Sequence, residues 1–137
     1  MNENDKNIYK CNVSAENLKT LNSVTLAYIG DSIYNWYIKK RLLEQGIKTI
    51  GELHKNASYL ASAKCQSLIY DELQSLLEPD EIDVLRRGRN AKSTVPKSAT
   101  VEEYKKATAV EALLGYIYIK GDFDRLGYLL ENAIKIS

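Results

Sequence analysis

Leu26-Ala27-Tyr28-Ile29-Gly30-Asp31-Ser32-Ile33-Tyr34 sets one aspartate and one glycine inside an otherwise apolar run. Leu26, Ile29, Ile33 and Trp36 or Tyr37 recur at steps of three and four, the period of a buried helical face. The pattern predicts a helix from about Ser23 to Glu44, stopped before Gly46, with Asn35, Lys39, Lys40 and Glu44 on its solvent side. An aspartate in this setting needs a hydrogen-bond donor, a cation or a metal beside it, because an unpaired buried carboxylate is costly.

The same period continues outward. Leu53, Ala57, Leu60, Ala61, Cys65, Leu68, Ile69, Leu73, Leu76 and Leu77 predict a helical region over about 50–77, with Ser58 as its expected break. Pro79 opens another helix, where a first-turn proline forfeits no hydrogen bond, and Asp80, Glu81 and Asp83 suit its dipole. Ile82, Val84 and Leu85 supply its apolar side, and Arg86, Arg87 and Arg89 fall at its end. The stretch 88–99 reads as the one long polar connection. Thr100 and Glu103 form a capping box for a helix that runs to about Lys120 and ends at Gly121. Asp122 caps a last helix with Leu126, Leu129, Leu130, Ala133 and Ile134 inside. The expected class is all-α, with about six helices, a polar tail over 1–16 and one domain over 17–137.

Composition agrees. In 137 residues, 45% are apolar and 27% charged, the balance of one folded domain and not of a disordered chain. No apolar run approaches the ~18 residues of a membrane span. The first ten residues are polar, without an apolar signal core, so a cytoplasmic protein is expected. Two cysteines, Cys11 and Cys65, are too few for a disulfide framework, and small reduced thiols are the expectation. A lone histidine, His54, argues against a zinc site or a histidine-based triad. The ten tyrosines read as core and interface aromatics.

Net charge is only +1, yet residues 86–106 hold seven basic residues against two acidic ones, a local +5. Such a stripe suits a polyanion or simply a solvated loop. A second acid, Glu111, sits in Ala107-Thr108-Ala109-Val110-Glu111-Ala112-Leu113-Leu114-Gly115. Taken singly, Asp31 reads as a cap or ion-pair member and Glu111 as a salt-bridge partner of a neighbouring helix. Taken together, two carboxylates from different helices aimed at one point form a hard-cation arrangement. Gly30 and Gly115 would let their helices approach closely. Mg2+ held there beside a basic stripe describes a phosphodiester hydrolase.

These residues resemble a family. Tyr28-Ile29-Gly30-Asp31-Ser32-Ile33 is similar to the signature helix of the ribonuclease III catalytic domain, and Thr108-Ala109-Val110-Glu111-Ala112-Leu113-Leu114-Gly115 to its second acidic helix. The closer resemblance is to the mini-ribonuclease III branch, a short form without a double-stranded-RNA-binding domain. It is carried also by Leu53-His54, Ser62-Ala63-Lys64, Arg86-Arg87-Gly88-Arg89-Asn90-Ala91-Lys92-Ser93 and Thr94-Val95-Pro96-Lys97, and it covers about 17–135. The resemblance implies a homodimeric endoribonuclease with double-stranded RNA lying across the dimer, acting on 23S ribosomal RNA precursor ends, with a ribosomal protein as a conceivable helper. It implies Asp31 and Glu111 as catalytic, metal-ligating acids and Arg86, Arg87, Arg89, Asn90, Lys92 and Lys97 as a loop that grips RNA.

The chain departs from full-length ribonuclease III where that enzyme carries further acids: Val24, Ala27 and Thr108 stand there instead. Magnesium retains water readily, so two protein carboxylates still suffice for one ion. The alternatives are a non-catalytic RNA-binding relative and a helical interaction domain. Asp31 and Glu111 together favour the enzyme, because a binding module has no use for buried carboxylates. His54 is expected to be structural or to contact RNA.

Overall fold

A computed structural model describes residues 7–47, 49–92, 94–97 and 99–135. The first six residues of the expected tail lie outside the described residues. Seven helices are described: α1 (Ala15–Thr20), α2 (Ser23–Glu44), α3 (Ile50–Leu60), α4 (Ala63–Leu73), α5 (Pro79–Asn90), α6 (Val101–Lys120) and α7 (Phe123–Ala133), with no strand among the described residues. The short α1, capped by Ser14, is one helix more than expected.

Polar caps set the helix starts. Asn22 accepts from the Thr25 N–H at 2.8 Å, and Thr49, Thr100 and Asp122 do the same for α3, α6 and α7. Thr100 and Glu103 form the expected capping box. Gly46 and Gly121 end α2 and α6 with φ of +85°.

Two expectations fail for physical reasons. The break in the second helical region falls at Ala61–Ser62, not at Ser58. Ser62 is the serine whose side chain caps the next helix, accepting from the Cys65 N–H at 3.2 Å, while its own N–H closes α3 on the Tyr59 carbonyl. Gly88 does not begin a connection; it lies within α5, which continues to Asn90. A Cβ at Gly88 would stand 2.8 Å from the Ala109 Cα, so this glycine serves close packing on α6 and not termination.

The helix α6 is the spine of the core and packs against α1, α2, α4, α5 and α7. Val110, Leu113, Leu114 and Ile117 of α6 are buried with Tyr34, Ile38 and Leu42 of α2, Leu73 of α4 and Leu129 of α7. Pins hold α5 in place. The buried Glu81 takes two bonds from Arg125 of α7, at 2.7 and 2.9 Å, and Asp80 accepts from Tyr116 of α6 at 3.0 Å. Among the described residues no helix is long and apolar enough to cross a membrane.

Candidate active site at the α2–α6 seam

The seam is defined by two glycines. A Cβ on Gly30 would fall 1.7 Å from the Glu111 carbonyl oxygen, and one on Gly115 would fall 2.0 Å from that of Leu26. Each glycine faces the other helix's backbone, as the sequence suggests, and the two acids are thereby brought to one place. Asp31, one residue past Gly30, is exposed; Glu111 is half-buried on α6.

Burial and the neighbouring Asp31 push the Glu111 carboxyl up to about 9. Burial is the larger cause. The protonated Glu111 donates to Asp31, and the charge of Asp31 also opposes its ionisation; the Gln66 amide acts the other way. Asn35, one turn beyond Asp31, donates to its Oδ1 at 3.0 Å and to its backbone carbonyl at 2.8 Å. Neither acid is a helix cap, and Glu111 is not the salt-bridge partner that the single-residue reading considered: its carboxyl neighbour is another acid.

Between about 4.5 and about 9 the folded protein therefore holds a proton that the unfolded chain, with an ordinary glutamate, has already released. The folded chain binds more protons in that window, so this group's contribution to stability is full below it and is lost as pH rises through it. We expect Glu111→Gln, in chelator, to gain stability over wild type between pH 6 and pH 9, by on the order of 4 kcal/mol. Urea midpoints of the two proteins at both pH values measure this; parallel pH profiles would contradict it.

The donor set fits a hard divalent cation. Two carboxylates from separate helices lie side by side, and the only buried side-chain oxygen lacking a hydrogen bond among the described residues, Gln66 Oε1, is on a side chain near Glu111. Among the described residues no group of three or more acids, histidines or cysteines is placed to hold a metal ion. Thr108, standing where larger enzymes carry an acid, spends its hydroxyl on the Tyr104 carbonyl at 3.0 Å and offers nothing to the pair. Ala27 is packed in the core.

The basic residues are placed differently from expectation. Arg86, Arg87, Arg89 and Asn90 belong to the last turns of α5, not to a loop; only Lys92 and Lys97 lie on the connection. Arg86 and Arg87 both bond Asp83, at 2.7 and 3.0 Å, and Arg89 pairs with Glu102. His54 is exposed on α3. Of the alternatives Trp36 and Tyr37 for the inner face of α2, Tyr37 is the buried one and Trp36 is 58% exposed; Tyr28, read as a core or interface aromatic, is 82% exposed. Cys11 and Cys65 are free thiols.

Sequence reasoning missed Gln66 and misjudged Asn35. Asn35 follows Asp31 by four residues, the spacing of facing side chains on a helix, and that was its available signal. Gln66 breaks the apolar face of α4 between Ser62 and Ile69, a polar residue where the period asks for a core one.

An all-helical unit whose two acids meet across a glycine seam has the form of a ribonuclease III catalytic domain, and residues 24–122 match the family model described as Ribonuclease III domain. The chain belongs to the ribonuclease III family, in its mini-ribonuclease III branch, and is an endoribonuclease. It is similar to the Mini-ribonuclease 3 of Thermoanaerobacter sp. (strain X514), 38% identical over 90% of this chain and 88% of that one. The Mini-ribonuclease 3 of Symbiobacterium thermophilum is 44% identical over 83% of this chain and 88% of its own. Among solved structures, protein FN1578 from Fusobacterium nucleatum superposes with a TM-score of 0.76 at 34% identity, over 84% of this chain and 94% of that one.

Proposed function

We propose that this chain hydrolyses phosphodiesters of double-stranded RNA with Mg2+, leaving 5′-phosphate and 3′-hydroxyl ends, and that its substrate is the 23S ribosomal RNA precursor. The observation that carries the reading is the pairing of Asp31 with Glu111: two acids held close enough to share a proton are an arrangement that a divalent cation relieves. Asp31 and Glu111 would hold the ion. When bound, it supplies an activated water and neutralises charge developing on the phosphate. Asn35 keeps the Asp31 carboxylate turned toward the seam, and Gln66 favours the ionised Glu111.

RNA binding is assigned to Arg86, Arg87, Arg89, Asn90, Lys92 and Lys97. Phosphates compete with Asp83 and Glu102 for the α5 arginines, so those carboxylates temper non-specific binding. An A-form duplex presents phosphates and 2′-hydroxyls, so recognition by shape is expected, with a ribosomal protein as a further determinant of the site. A homodimer is supported by the exposed Tyr28 and Trp36 on the helix that carries Asp31. Trp36 also lines an apolar groove of about 560 Å3, together with Ile33, Tyr118, Phe123 and Leu126. The catalytic unit is assigned to 17–137, preceded by a polar tail over 1–16, in a cytoplasmic protein.

The test is a long RNA duplex incubated with the protein in Mg2+ or in chelator. Cutting with Mg2+ and none in chelator is expected. Tight binding with no cutting in either lane would overturn the reading in favour of a non-catalytic relative.

A further inference from the structure

Gln66 lies at the start of α4, 4% exposed, on the face turned to α6. Its Nε2 donates to the Ala61 carbonyl at 3.2 Å, and the amide lies near enough to Glu111 to favour its carboxylate form. Its Oε1 is buried and accepts nothing. A buried carbonyl oxygen without a donor costs stability, and native structures retain one where a missing group supplies the donor. An apolar side chain of similar length would fill the same space without that cost. With the Ala61 carbonyl already served by Nε2, the polar groups left beside the side chain are those of the acid pair, and a partner for Oε1 would arrive from there.

We propose that Gln66 is a positioning residue of the cation site: its N–H side holds Glu111, and its Oε1 accepts a hydrogen bond from the hydration shell of the ion held by Asp31 and Glu111. This rests on the metal reading of that pair. Groups around a ligating carboxylate orient it, and losing one weakens metal affinity by about 10- to 100-fold.

The experiment is Mn2+ binding to the whole protein without RNA, followed by the paramagnetic signal of the free ion, for wild type, Gln66→Met and Gln66→Glu. Melting in chelator is recorded for each. Expected is a dissociation constant about tenfold weaker for Gln66→Met, with a metal-free melting point within a few degrees of wild type. Gln66→Glu, which keeps an oxygen at the position, is expected to bind at least as tightly as wild type; it decides the matter alone if Gln66→Met does not fold. Unchanged Mn2+ affinity in Gln66→Met, or a tenfold loss in Gln66→Glu, would overturn the assignment while leaving Asp31 and Glu111 as ligands. Wild type that takes up no Mn2+ would overturn the metal reading itself, and this inference with it.

Discussion

Asp31→Asn is expected to lose cleavage of duplex RNA while keeping its fold and its RNA affinity. The side chain is exposed on the middle of α2, the substitution is isosteric, and the bond from Asn35 retains an oxygen to reach. Stability should move by no more than about 0.5 kcal/mol, the range of surface changes. The chemistry has no such latitude. A cation at the reacting phosphate is worth several kcal/mol of barrier, and each ~1.4 kcal/mol is a factor of ten, so a fall of about a thousandfold or more is expected. Loss of the Asp31 charge also lets the Glu111 carboxyl fall back toward its ordinary range, since that charge helps to raise it. Single-turnover cleavage, a melting curve and a binding titration check the three parts. Wild-type cleavage by this variant would sink the assignment of Asp31.

The second large effect is structural. Gly30→Ala drives a methyl to within 1.7 Å of the Glu111 carbonyl oxygen, a backbone atom with no rotamer to yield. The helices α2 and α6 must part along their whole seam. Alanine's helix propensity returns only ~1 kcal/mol, whereas overpacking of this kind costs about 3 kcal/mol or more. A melting point lower by about 10 °C is expected at this chain length, along with loss of cutting, because the acids separate with the helices. Gly51→Ala on α3 is the control: nothing lies within 4 Å of its new methyl, so it should melt at or slightly above wild type. Equal melting of the two variants would contradict the packing argument.

Much of this was legible in the sequence. The three-and-four spacing around Leu26 and Leu113 marked the two long helices. Glycine beside or near each acid marked the seam, because a glycine inside a helix has a cost that close packing can offset. The capping box at Thr100 set the start of α6. Other features depend on partners that spacing does not reveal. Ser58 and Ser62 are the same residue type; only the geometry of the following turn selects which one caps. Gly88 follows two arginines and precedes a polar stretch, so it reads as a terminator until Ala109 is seen against it. Charge counting gave the basic stripe, but not that Asp83 lies one turn before Arg86 and Arg87 with its carboxylate between them. The unpaired oxygen of Gln66 is a property of what surrounds it, and no one-dimensional pattern records that.

Backbone contacts on α6 fall on two neighbouring faces: Ala109 meets Gly88 of α5, while the Glu111 carbonyl and Gly115 meet Gly30 and Leu26 of α2. One residue inserted between 109 and 115 would turn everything after it by about 100° and advance it about 1.5 Å. Both seams then cannot close at once. Length variation in descendants of this chain has to fall in the connections, and this half-dozen-residue stretch works as a fixed-length gauge between the helix carrying the arginines and the helix carrying Asp31.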